Sequence, residues 1–169
     1  MTFFTMLPDD TVLVNITGKY YIGDPCYCFS NDNTWGNLCN SWFGLNESPI
    51  AVSENVEVVG FSTAYGDGNY AGYIGSKRHD FPVDAGMLGV VPESFIEIES
   101  SFVDTERLGV IVELSAGDII RSIGGDFYIS GSVDVNIITR DDVDDDYDED
   151  DYRDDRHDTD EHIFDSNDY

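Results

Sequence analysis

Val56-Glu57-Val58-Val59-Gly60-Phe61-Ser62-Thr63 is rich in β-branched and aromatic residues and holds no proline. That composition predicts a strand and sets the class of the fold. Just downstream, Tyr65-Gly66-Asp67-Gly68-Asn69-Tyr70 predicts a hairpin turn, because Gly and Asn accept positive φ. Ala71 to Ile74 would return as a strand, and Gly75-Ser76-Lys77-Arg78-His79-Asp80 would form a second turn. Phe81 to Val91 reads as an apolar strand closed by Pro92. Upstream, Thr11 to Ile16 and Lys19 to Ile22 predict strands on either side of Thr17-Gly18, and residues 45–55 read as a polar loop.

Residues 33–43 hold the one good helical pattern. Trp35, Leu38, Cys39 and Trp42 fall on one face at helical spacing, with Asp32 or Asn33 to cap the start and Gly44 to end it. Residues 93–101 suit a helical turn or a strand. Segments 107–114, 118–123, 126–130 and 133–139 complete the β pattern, punctuated by Gly117-Asp118, Gly124-Gly125 and Gly131-Ser132. Short strands at such regular spacing predict a mainly β domain, an antiparallel sandwich or small open barrel with one short helix. The chain of 169 residues, 41% hydrophobic and 13% aromatic, has apolar material for one core.

Charge divides the chain. Formal net charge is -27, from 35 acidic and 8 basic residues. Residues 141–169 hold 16 acids and two arginines, or -14, which leaves -13 for residues 1–140. The segment from Asp141 to Tyr169 has almost no aliphatic residues and cannot offset an ordering cost of about 1–2 kcal/mol per residue. We therefore expect a β-rich domain over 1–140 and a disordered acidic tail over 141–169. Such a chain repels nucleic acid and anionic membranes, since phosphate binding needs Lys and Arg. It favours basic partners and speeds encounter with them. The N-terminus, Met1 to Pro8, has no basic region ahead of its apolar stretch, so a cytoplasmic location is expected.

Cys26, Cys28 and Cys39 are odd in number, and a disulfide framework is not expected. Buried free thiols are the simpler account, and a three-cysteine metal site the sharper one. Asp84 is unusual inside an apolar segment. It would either bind backbone N–H groups or join Asp24 and Asp67 as a carboxylate cluster for Ca²⁺ or Mg²⁺. A hydrolase would use Cys26 as nucleophile and His79, the domain's single histidine, as base, with Asp84 to orient it.

Tyr21-Ile22-Gly23-Asp24-Pro25-Cys26-Tyr27, the Gly66-Asp67-Gly68 segment and Val83-Asp84-Ala85-Gly86 together resemble a group of small uncharacterised phage and bacterial proteins with GDPCY, GDG and VDAG motifs. The VDAG piece is also similar to one in a domain of unknown function. The resemblance covers roughly residues 19–92. It implies a β-rich fold and phage origin, and no catalytic activity comes with it.

Within the tail, Asp142, Asp144, Asp146, Asp148 and Asp150 alternate like the start of an EF-hand loop. Counted from Asp142, the positions that need Gly and Glu hold Tyr147 and Arg153, so the pattern fails. The electrostatic reading is stronger. Asp141, Asp142, Asp144, Asp145, Asp146, Asp148, Glu149, Asp150 and Asp151, with Tyr147 and Tyr152 among them, can imitate a run of phosphates and bases. The expected function is a non-catalytic inhibitor or adaptor, phage-encoded, that engages a basic nucleic-acid-binding host protein. The alternatives are a cation- or ligand-binding β domain and a Cys-dependent hydrolase. A purely solubilising tail is the simplest account of the charge.

Overall fold

The computed structural model describes residues 2–30, 32–43, 48–97 and 108–140. Twelve strands run β1 (Phe4–Leu7), β2 (Thr11–Val14), β3 (Gly18–Gly23), β4 (Ile50–Ser53), β5 (Val56–Ser62), β6 (Gly68–Ile74), β7 (Lys77–Val83), β8 (Met87–Pro92), β9 (Gly109–Leu114), β10 (Ile119–Ile123), β11 (Asp126–Ser130) and β12 (Val135–Ile137). One α-helix, α1 (Asp32–Trp42), and two 3₁₀ turns, Pro25–Cys28 and Glu93–Phe95, complete the described elements. The strands form two antiparallel sheets that do not close into a barrel. One is ordered β1-β2-β10-β11-β12-β6-β7 and the other β4-β5-β8-β3-β9. The mainly β sandwich with a single short helix matches the expected class.

Two apolar layers hold it together. The first lies between the sheets and includes Val12, Val14, Ile22, Val59, Leu88, Val90, Ile120, Phe127 and Ile137. The second covers the other face of the five-stranded sheet, where Leu38 and Trp42 of α1 meet Tyr21, Ala51, Val58, Met87 and Val91. That sheet is therefore buried on both faces, and every residue of β8 is buried. An unbroken apolar run such as Met87 to Val91 is what a doubly covered strand requires. Gly89 in its middle is dictated by packing. A Cβ there would lie 2.0 Å from the Val59 carbonyl oxygen and 2.8 Å from Pro25 Cγ.

Several local expectations are corrected. The region read as a polar loop contains β4, which pairs with β5 and supports α1. Trp42 Nε1 donates to the Pro49 carbonyl at 3.1 Å and Val52 N–H to Ser41 Oγ at 3.2 Å. The segment Tyr65 to Tyr70 is not a hairpin turn. β5 lies in one sheet and β6 in the other, so this loop carries the chain across the sandwich. The true hairpin is β6–β7, closed at Gly75-Ser76 with Ile74 opposite Lys77. Lys77 to Asp80 thus lie on a strand, not in a turn. The apolar stretch 81–91 is also two strands, broken at Asp84-Ala85-Gly86, where Gly86 takes φ 68°. Asp84 is accordingly exposed. The residues from Asp141 onward, with the disorder expected of them, lie outside the described set.

Turns within the seven-stranded sheet, and the one that enters it from β9, are closed by buried carboxylates. Asp118 accepts N–H from Ser115 and Ser132, both at 2.8 Å, and the Ser132 hydroxyl. Asp126 accepts N–H from Thr139 at 2.7 Å and Arg140 at 3.0 Å, and its other oxygen binds the Arg140 guanidinium at 2.8 Å through Nε and again through Nη2. Burial alone would raise both acids. For Asp118 the Ser132 and Ser115 bonds outweigh it, and for Asp126 the Thr139 and Arg140 contacts do, so both carboxyls sit below their usual range.

A folded pKa below the unfolded value of about 3.9 means stability that is full above that value and lost as pH falls through the folded pKa. Asp118→Asn should lower stability at neutral pH by about 1–3 kcal/mol. It should also flatten the acid end of the stability profile, measured by denaturant unfolding at a series of pH values. A variant whose acid profile runs parallel to the wild type would contradict this role.

Candidate functional site

The three motifs quoted above converge. β3 ends at Gly23, and Asp24 caps the 3₁₀ turn Pro25–Cys28, with Pro25 in the first turn, where its missing N–H costs nothing. Asp24 Oδ1 accepts the Cys26 N–H at 2.9 Å. Its Oδ2 accepts the N–H groups of Asp84 at 2.8 Å and Ala85 at 2.7 Å, across sixty positions of sequence. The residue is fully buried. The expected bond between an acid and backbone amides is thus present with the roles exchanged: the acceptor is Asp24, and Asp84 supplies a backbone donor.

The crossing loop joins through Thr63. Its N–H donates to the Gly86 carbonyl at 3.0 Å, and its hydroxyl to the Gly66 carbonyl at 2.6 Å. The Tyr70 hydroxyl donates to the same Gly66 carbonyl at 2.8 Å. The Tyr21 hydroxyl reaches the Asp24 carbonyl at 2.9 Å and the Leu108 carbonyl at 3.1 Å. The roles of Thr63, Tyr70 and Tyr21 escape a reading of the sequence, although all three residues fall within the quoted segments. Their hydroxyls face carbonyls that only the fold brings near.

Asp67 and Asp84 are exposed at the rim of this cluster, while Asp24 lies beneath. All three carboxylates act on one thiol, that of Cys26. Cys26 is pushed far up by burial first, then by the Asp24 carboxylate as charge and hydrogen-bond partner, then by Asp84 and Asp67. The neighbouring Tyr27 donates its hydroxyl to Asp84, and burial followed by that bond raises it as well. Among the described residues no group of three or more His, Cys, Asp or Glu is disposed to hold a metal ion. That covers both the Asp24, Asp67 and Asp84 set and the three cysteines. Cys26, Cys28 and Cys39 are free thiols, all raised chiefly by burial.

His79 is not brought to Cys26. It sits on β7 in the other sheet, its ring 6.2 Å from that of Phe81. Burial and then Lys77 lower its pKa, against an opposing pull from Asp80. A nucleophilic cysteine needs positive surroundings or a base to make thiolate, and Cys26 has carboxylates instead. The acidic residues Asp141, Asp142, Asp144, Asp145, Asp146, Asp148, Glu149, Asp150 and Asp151, with Tyr147 and Tyr152, lie outside the described residues. Their point of attachment does not: Arg140 is held by Asp126. No protein-family model, curated protein or solved structure matches the chain.

The setting of Cys26 gives a direct expectation. Alkylation of Cys26 by iodoacetamide at pH 8, followed by peptide mass mapping, should be at least about tenfold slower than that of an unstructured cysteine, whose pKa is about 8.5. Modification as fast as in the unfolded chain would contradict the thiol's placement among carboxylates.

Proposed function

We propose that this chain is a non-catalytic acidic binding protein that engages a basic, nucleic-acid-binding partner through the run Asp141–Tyr152. The carrying observation is the distribution of charge: 16 acids against two arginines follow residue 140. Asp24, Asp118 and Asp126 are buried in the body and committed to turns. The tail acids are thus set apart, in sequence, from the carboxylates that hold the fold. The run also begins immediately after Arg140, which is fixed to the sheet by Asp126, so it starts from an anchored residue. Carboxylates spaced along a chain offer Arg and Lys the charge-assisted hydrogen bonds that phosphates offer. If the motifs of residues 19–92 mark a phage origin, a host protein is the natural target and inhibition or adaptation the natural outcome.

A second reading, a small-ligand site at the three-turn cluster, is favoured by one observation: Tyr27 and Asp84 present a paired hydroxyl and carboxylate where the motifs meet. It would become the leading reading if binding proved independent of the tail.

Each exposed ion pair contributes under about 1 kcal/mol, so only the sum of many would give useful affinity. Binding of the purified chain to basic nucleic-acid-binding proteins should therefore weaken steeply as salt shortens the Debye length to about 8 Å and below. It should compete with duplex DNA. Changing the acids of residues 141–151 to Asn and Gln should cost more than any single change. A partner held equally well at high salt, or by the neutralised chain, would overturn this function.

A further inference from the structure

The two sheets come together at an open mouth between strands that end them. β7 closes the order of the seven-stranded sheet and β9 that of the five-stranded sheet, so each has one side without a strand partner among the described residues. Between them lies a cleft of about 860 Å³, lined by Lys77, Arg78, His79 and Asp80 from β7 and by Gly109 and Val110 from β9. Phe81 and Val83 of β7 point into the core. Lys77 and His79 share their phase on the strand and continue that inward face into the mouth. The cleft combines unpaired strand edges with adjacent cations, which suits an extended acidic segment.

Lys19 and Arg121 are exposed bases too, but only at β7 do two bases adjoin in sequence among the described residues. Arg140 is committed to Asp126, whereas Lys77 is exposed. Among the described residues Arg78 pairs with Asp80, at 3.7 Å with both side chains more than half exposed, a weak pairing. A free polyanion approaching the cleft would be repelled by a body of charge -13, but a tethered one docks intramolecularly, at an effective concentration of roughly millimolar. The chain carries such a segment. Ile137 lies opposite Gly72, and Gly72 opposite His79, so Arg140 is three residues along and two strands across from the cleft. That is a separation on the order of 15 Å. The run 141–151 can extend to roughly 35 Å.

We propose that the acidic run Asp141–Asp151 of the same chain docks in the cleft between β7 and β9, against Lys77 and Arg78. This does not depend on an external partner. It adds to the proposed function a consequence: a basic partner must compete with Lys77 and Arg78 for the same acids.

The test uses the purified full chain without any partner. Amide hydrogen exchange along β7 and β9 is compared between the wild type and a full-length variant with the acids of 141–151 changed to Asn and Gln. At low salt, exchange on both strands should be several-fold slower in the wild type. High salt, or K77A/R78A in the wild-type background, should remove the difference, while the outer strands β1 and β4 show none. Equal exchange of β7 and β9 in the two chains at low salt would overturn the proposal. So would equal slowing at β1 and β4, which would reduce the effect to diffuse charge. Protection that survives neutralisation and grows with protein concentration would make the occupant a second copy, and would equally overturn it. Because no partner is present, failure here leaves the salt-dependent binding test of the function unaffected.

Discussion

A carboxylate buried from solvent decides how this sandwich is laced. Asp24 is fully buried, and its two oxygens accept three backbone N–H groups from two turns. A buried carboxylate is tolerated only when its oxygens are satisfied, and here the satisfying donors belong to the loops themselves. The turn after β3, the turn between β7 and β8, and the Thr63 bridge to the crossing loop are therefore one unit. Because β7 and β8 belong to different sheets, that unit also sets where the chain passes from one sheet to the other.

The same device recurs elsewhere in the fold, and at Asp126 it adjoins the same crossing loop, since the Ala64 N–H donates to the Thr139 hydroxyl at 2.9 Å. Asp118 and Asp126 each fix a turn of the seven-stranded sheet through backbone N–H donors, and Asp126 adds a two-point contact with Arg140. No buried polar side-chain atom among the described residues is left without a partner. The acidic composition of the chain thus has two separate physical meanings. A few carboxylates are interior acceptors that define turns. The rest, and above all those that follow Arg140, carry the field that any partner would meet.

How much of this was legible follows from what each signal measures. Strands with β-branched runs, such as Val56 to Ser62, declare themselves, because their composition fits a buried pleated surface. The helix face of Leu38 and Trp42 did so through its spacing. β1 and β4 did not, since each is a four-residue strand at a sheet edge with half its residues outside the core. The loop Tyr65 to Tyr70 looked like a hairpin because Gly and Asn report a turn, and a turn does not report which sheet the next strand joins. At the site, Gly-Asp-Pro marked Asp24 as a turn residue. That its acceptors reach the amides of Asp84 and Ala85 is a property of three-dimensional register and has no local signature. Asp24, Asp67 and Asp84 were legible as one grouping, and Cys26 with Asp84 as another, while the action of all three carboxylates on the Cys26 thiol has no local signature.

The account rests on the Asp24 carboxylate as the joint of three turns, and the comparison of Asp24→Asn with Asp84→Asn in denaturant unfolding tests it most directly. The amide of an asparagine at position 24 would face a backbone donor with a donor of its own. The account predicts a loss of about 3 kcal/mol for that variant, the scale of hydrogen bonds to a buried charged group. For the exposed Asp84, whose side chain can still accept from Tyr27 as an amide, the change should stay within about 0.5 kcal/mol. Two variants of equal stability would contradict it.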